Sequence, residues 1–406
     1  MSGHDGPITG LVLGGGGAHA AYQAGVLAAL ARLRRAAGVE RSRNPFAIIA
    51  GSSAGAINAA ALACRCDDFE RAADDLVSVW RNLRVGHIYH GDMLRVTRSG
   101  AKWLAMLSLG WALARRWRLR PHSLLDNRPL GELLQRTIAL QRLPGLIAAG
   151  RLRALAVTAS SYDSGEHVTF YQSGAQLAPW TRAHRVAVET ELTHAHLLAS
   201  SAIPFVFPST RLERNGRAEW FGDGSMRQMA PLAPAIHLGA QRLLVIAAGG
   251  MPEPRGRAPG AAPGHPSLAQ IAGHALSSIF IDALAYDVER LQRLNRVAAL
   301  MSDEARRAAP VRAVQALVIA PSRRPDEVAL EHLEALPLAV RALLAAVGVH
   351  AYAAGAAPAA SGAALASYVL FESSYTRALI ALGEADTLAR ADEVRSFFGW
   401  PAAAPG

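Results

Sequence analysis

Apolar residues along the chain fall into two alternating rhythms. Residues 8–13, ITGLVL, form a short run of strand-favouring residues that stops at four glycines, Gly14 to Gly17. From residue 18 to 35 apolar positions recur at helical spacing through Tyr22, Val26, Leu27, Leu30 and Leu33, ending near Gly38. The order of strand, glycine turn and helix then repeats. Residues 46–50 read as a strand, Gly51 to Gly55 as a turn, and the alanine-rich run to residue 63 as a helix. Continuous apolar runs at 153–160, 167–172, 218–222, 242–248 and 315–321 predict further buried strands. Strands of this kind alternating with helices predict an α/β fold, a three-layer α/β/α arrangement around a mostly parallel central sheet.

Residues 67–140 break the rhythm and read as a helical insertion. Within it, residues 102–120 place Trp103, Trp111 and Trp117 beside Arg115, Arg116, Arg118 and Arg120. That combination suits a segment lying in a membrane interface, and equally a lid or a helix packed on the sheet. Residues 250–266 are rich in proline and glycine and read as a loop. Two long helical patterns follow, at 267–295 and 331–348, and then a small-residue tail. The expected organisation is a catalytic domain over 1–264 carrying the insertion, with a mainly helical region over 265–406 packed on it or completing it.

Composition narrows the class. A chain of 406 residues that is 51% hydrophobic can bury a large core without covalent staples. Cys64 and Cys66 are the only cysteines, with no second Cys or His cluster at zinc spacing, so they read as reduced, buried thiols and no metal is expected. The formal charge of +10 comes almost wholly from arginine, Lys102 being the only lysine. Such a surface favours anionic partners, but no nucleic-acid module accompanies it, so no nucleic-acid partner is expected. The N-terminus lacks the pattern of a secretory signal, and no apolar run reaches the ~18 residues of a spanning helix. The expected location is cytoplasmic, with peripheral contact to the inner face of the membrane through residues 102–120.

Three short stretches carry candidate chemistry. Gly51-Ser52-Ser53-Ala54-Gly55 fits G-x-S-x-G, with a strand before it and a helix after it. Flanking glycines permit a sharp turn that presents Ser53 at a helix N-terminus, although a Gly/Ser turn can also simply cap a helix. The loop Gly14 to Gly17 exposes backbone N–H groups able to hold a phosphate or an oxyanion, or merely allows close strand–helix packing. The dinucleotide fingerprint fails there, because His19 or Ala20 stands where the third glycine belongs and the nearest acid is Glu40. A Gly-Lys-Ser/Thr sequence is absent as well, so no nucleotide cofactor is expected. The third stretch is Asp223-Gly224-Ser225 at a strand end, which alone reads as a turn.

Together, GGGGAHA, GSSAG and DGS resemble, in that order, the oxyanion loop, nucleophile elbow and aspartate motif of the patatin-like phospholipase family. Residues 123–134 and 199–210 resemble stretches that commonly lie between the last two. The resemblance covers roughly the first 260 residues and implies a serine lipid acyl hydrolase working through an acyl-enzyme, without a cofactor. It implies Ser53 as nucleophile, Asp223 as base, the N–H groups of Gly15, Gly16 and Gly17 as oxyanion donors, and Gly51, Gly55 and Gly224 as motif glycines. The substrate implied is a lipid or other acyl ester. Two of the motifs depart from the family pattern: His19 and Ala20 replace the loop's arginine and glycine, and Ser225 replaces a glycine or alanine of the aspartate motif. Two other readings stand beside it: a catalytically weak, membrane-associated binding or regulatory member, and an esterase using a triad with His194 or His196. Oligomeric state is not legible.

Overall fold

Leu11 and Leu13 enter one apolar layer and Val12, between them, enters another; Leu244 and Ile246 divide from Leu243 and Val245 in the same way. Both faces of these strands are covered, which is why their sequences are apolar without alternation. The computed structural model describes residues 6–41, 43–90, 123–175, 177, 179–249, 265, 267–308, 312–349 and 362–401.

Among the described residues ten strands form one sheet: β1 (Thr9–Leu13), β2 (Ile48–Ser52), β3 (Ala154–Ser161), β4 (His167–Ser173), β5 (Thr181–Arg182), β6 (Arg185–Glu189), β7 (Thr210–Arg214), β8 (Arg217–Gly222), β9 (Arg242–Ile246) and β10 (Gln315–Ile319). Their order is β10-β9-β1-β2-β3-β4-β6-β5, with the β7–β8 hairpin attached to β3. The five strands from β10 to β3 are parallel; β4 and β8 both run antiparallel to β3. The fold is thus a mostly parallel sheet covered by helices, with a mainly helical C-terminal region.

Helices α1 (Ala21–Ala36), α2 (Ala54–Ala63) and α3 (Phe69–Arg81) cover one face together with the helix Ser373–Ala389. That late helix crosses α1 very closely. A Cβ on Gly25 would collide with the Ile380 carbonyl oxygen, and one on Gly383 with that of Tyr22.

Several expectations need adjusting. The predicted helix over 331–348 stops at Pro337, leaving a single turn at Leu333–Ala335 and a helix at Leu338–Ala346. The strand at 218–222 belongs to a hairpin whose turn is Asn215-Gly216, both with positive φ, the signature of a tight two-residue loop. Residues 268–300 join into one helical run of 33 residues whose most apolar 18-residue window has a mean hydropathy of 1.4. By length and composition alone that run meets the criterion for a span, contrary to the sequence expectation. Leu284, Val288 and Leu291 nevertheless pack into the layer beneath the sheet. The tryptophan–arginine segment 102–120 and most of 250–266 lie outside the described residues.

Candidate active site

Strand β1 lies between β2 and β9, so the chain builds the sheet outward in both directions from it. In such sheets a crevice opens beyond the carboxyl ends of the strands at that switch point. The two glycine turns of the sequence follow β1 and β2, which places both there.

The elbow is tight because two glycines allow it. A Cβ on Gly51 would lie 2.7 Å from the backbone N of Ala56, and one on Gly55 would lie 2.5 Å from the carbonyl oxygen of Gly14. Ser53 itself sits at φ 53°, ψ −134°, a conformation that non-glycine residues rarely adopt, immediately before α2 begins at Ala54. Its N–H donates to Ser200 Oγ at 2.9 Å, and the Ser200 hydroxyl donates to the carbonyl of Thr158 on β3 at 2.6 Å. The strained turn is thereby pinned to the neighbouring strand.

Strand β8 brings Asp223 to the same place. Gly222 pairs with Ser160 of β3, two residues beyond the Ser52–Thr158 pair. The chain then turns so that Ser53 Oγ donates to Asp223 Oδ2 at 2.6 Å. The other carboxyl oxygen accepts the N–H of Ser225 at 2.8 Å. Any side chain at Gly224 would run into the Thr158 carbonyl. Both members of the pair are buried, Asp223 completely. Burial pushes the Asp223 carboxyl up to about 6, against the pull of hydrogen bonds from Ser53 and Ser225.

The glycine loop closes over this pair. A Cβ on Gly15 would lie 2.9 Å from Ser53 Cβ and would strike the Ser225 hydroxyl, so Ser225 fills space that glycine leaves open. Gly17 needs its positive φ of 55°. Among the described residues the N–H groups of Gly15, Gly16 and Gly17 make no hydrogen bond within the protein. His19, at the place of the family arginine, turns away from solvent. Its Nε2 lies 2.8 Å from Ser367 Oγ, and its ring stacks on Tyr368 at 4.4 Å. Burial drives its pKa down to about 4, so it brings no cation to the loop near neutral pH.

Three other histidines are held by neighbours other than Ser53 and Asp223. His194 Nε2 lies 2.9 Å from the Ile138 carbonyl, His196 Nδ1 lies 2.9 Å from Thr193 Oγ1, and His167 Nε2 lies 3.0 Å from the Gly224 carbonyl. Cys64 and Cys66 are free and buried, their thiols pushed up to about 12 by burial. Among the described residues no group of His, Cys, Asp and Glu is placed to hold a metal ion.

From Ser53 a cavity of about 300 Å³ runs along α2. Its walls include Ile57, Leu76, Leu83, Leu130, Leu134 and Phe371, and its far end reaches Arg65 and Asp75 at the surface. Neither Ser200 nor Ser367 carries a local sign in the sequence, whereas the helix Arg128–Thr137 that forms one wall of this cavity overlaps the 123–134 stretch. Ser200 lies in the 199–210 stretch already noticed, but nothing local marks it as a prop for the elbow.

The model of the patatin-like phospholipase family matches residues 11–236, more than half of the chain. The chain belongs to the patatin-like phospholipase family. Among solved structures it is similar to VipD from Legionella pneumophila, at 15% identity and a TM-score of 0.30, over 60% of this chain and 50% of that one. It is also similar to ExoU from the type III secretion system of Pseudomonas aeruginosa, solved with SpcU, at 22% identity and a TM-score of 0.20, over 40% of this chain and 34% of ExoU. The similarity therefore spans half or less of either protein. Nothing matches among curated proteins.

The raised carboxyl has a consequence for stability. Because the folded pKa lies above the ordinary value of 3.8, the cost of burying the charge is absent below about pH 4, grows as pH rises through about 6, and is complete above it. A shift of this size corresponds to roughly 3 kcal/mol. Asp223→Asn should therefore raise Tm at about pH 8, with the gain shrinking towards about pH 4. Calorimetry across that range checks it; an equal shift at both ends would remove the electrostatic explanation.

Proposed function

We propose that the protein is a serine lipid acyl hydrolase acting on a phospholipid or another acyl ester. The observation that carries the reading is the 2.6 Å contact of Ser53 Oγ with the buried carboxylate of Asp223, at one end of an apolar cavity. Family membership supports a lipid as the substrate. In the proposed cycle Ser53 Oγ attacks the ester carbonyl carbon while Asp223 accepts its proton. Negative charge developing on the carbonyl oxygen meets the N–H groups of Gly15, Gly16 and Gly17 and the N-terminal end of α2. The C–O bond then breaks, the leaving alcohol takes the proton from Asp223, and the acyl group stays on Ser53. Water, deprotonated by the same carboxylate, attacks the acyl-enzyme; the acyl–Oγ bond breaks as Asp223 returns the proton to Ser53 Oγ, and the fatty acid is released.

A carboxylate of ordinary pKa is a weak base for a hydroxyl, and burial that raises it toward 6 improves the match. Each oxyanion donor supplies roughly 10²- to 10³-fold in rate, so the glycine loop matters as much as the base. As parts of the same proposal, residues 265–406 complete the catalytic unit formed by 1–264. The protein is cytoplasmic and contacts the inner membrane face through 102–120.

On this account Ser53→Ala abolishes ester turnover. In the wild type kcat/KM rises with pH through about 6, as Asp223 ionises, and is level above it. Steady-state kinetics with a chromogenic acyl ester measures both; turnover by Ser53→Ala at the wild-type rate would exclude the serine mechanism. The membrane contact predicts flotation with anionic liposomes that falls when Trp103, Trp111 and Trp117 are replaced by serine. An unchanged bound fraction would contradict it.

A further inference from the structure

A chain of buried polar side chains runs from the wall of the cavity to the glycine loop, and the proposed cycle does not use it. Trp80 of α3 lines the cavity. Its indole N–H donates to Asn58 Oδ1 at 2.9 Å. Asn58 Nδ2 donates to Gln23 Oε1 at 2.9 Å and to the carbonyl of Ala20 at 3.0 Å. Gln23 Nε2 donates to the carbonyl of Gly14 at 2.7 Å. Gln23 and Asn58 have no surface in water, and Trp80 has only 6%.

The direction of this chain is forced. An indole nitrogen can only donate and a backbone carbonyl can only accept, so both amides between them have one satisfactory orientation. A buried network of this kind is rigid when complete and costly when one member is lost. Its last bond falls where orientation matters most. The carbonyl of Gly14 and the N–H of Gly15 belong to one planar peptide unit, so fixing the direction of one fixes the other. Holding the Gly14 carbonyl thus aims the Gly15 N–H, the first of the proposed oxyanion donors. The Ala20 carbonyl fixes the opposite end of the same loop.

We infer that Trp80, Asn58 and Gln23 are positioning residues that couple occupancy of the cavity by an acyl chain to the aim of the Gly15 N–H. The inference rests on the proposed hydrolase reading and specifies its substrate: acyl chains long enough to pack against Trp80. Ile57, Asn58 and Ala61 on α2 line the same stretch of cavity, beginning one helical turn beyond Ser53. A chain lying along α2 therefore meets Trp80 and Asn58 after its first few carbons. It presses the indole into its hydrogen bond and covers the small part of Trp80 that is still open to water. Short acyl groups leave that part of the cavity empty and gain nothing from it. The effect belongs in kcat, because the donor acts on charge that develops only in the transition state.

The test is a series of p-nitrophenyl esters from acetate through octanoate to palmitate, with kcat and KM determined separately for the wild type, Trp80→Phe and Gln23→Met. Trp80→Phe keeps an aromatic ring but removes the donor; Gln23→Met keeps the length but releases the Gly14 carbonyl. The wild type should show kcat rising with chain length. In both variants kcat for the long esters should fall about 3- to 10-fold, the range one net hydrogen bond supplies, with KM for those esters changed less than about twofold. The rise with chain length should flatten in both. Circular dichroism identifies a variant that has not folded, and the other then decides. Three results overturn the inference while leaving the hydrolase reading intact: a wild-type kcat independent of chain length, an equal loss at every chain length, or a change confined to KM. Absence of wild-type turnover at any chain length would instead overturn the hydrolase reading itself.

Discussion

A carboxyl group with no surface in water is the constraint to which the rest of the structure answers. Asp223 is completely buried, and its two oxygens accept hydrogen bonds from the Ser53 hydroxyl and the Ser225 N–H. Such burial is unfavourable for the charged form, and the structure tolerates it only because the surroundings are over-determined. Gly224 backs directly onto Thr158, Ser200 ties Ser53 to β3, and Ser225 fills the space beside Gly15. Each of these contacts forbids a different adjustment by which the carboxylate could escape to water. The same burial sets the pH range over which the group ionises.

Topology brings the parts together. The glycine loop, the elbow and the aspartate turn all follow strands that meet at the carboxyl ends of β1, β2 and β3. Because β1 is where the sheet order reverses, nothing in the sheet itself fills the crevice there. The C-terminal region supplies what the sheet does not. Tyr368 stacks on His19 and packs at a tilt against Phe280, whose own turn, Ser278–Asp282, is a π-type bulge in the long helical run. Such a bulge re-aims one side chain without ending the helix. A loop that looks local in the sequence is thus braced by residues some 350 positions away, as the His19–Ser367 contact illustrates.

The sequence disclosed those features whose chemistry demands a particular residue at a particular local spacing. Gly51, Ser53, Gly55 and Gly14 to Gly17 stand out because few residues tolerate such turns, and the strands around them are apolar enough to be read without help. The features it concealed depend on distant partners. Gln23 and Asn58 appear only as polar residues within apolar stretches of their helices; their partners are Gly14, Ala20 and Trp80, set by how α1, α2 and α3 pack. The β7–β8 hairpin does carry a local sign, Asn215-Gly216. Short strands β5 and β6 do not, since Thr181–Arg182 is exposed and Arg185–Glu189 is only half buried. Pro337 was similarly legible as a break but was subsumed into a helical pattern that its neighbours supported.

One measurement bears most directly on the claim that Asp223 activates Ser53. The protein is treated with a fluorophosphonate, digested and mapped by mass spectrometry, and the labelling rate is followed against pH for the wild type and Asp223→Asn. The account predicts a single adduct on Ser53, forming faster as pH rises through about 6 and slowed at least about tenfold in the variant. An adduct on another serine, or labelling of Ser53 at the same rate without the Asp223 carboxylate, would contradict it.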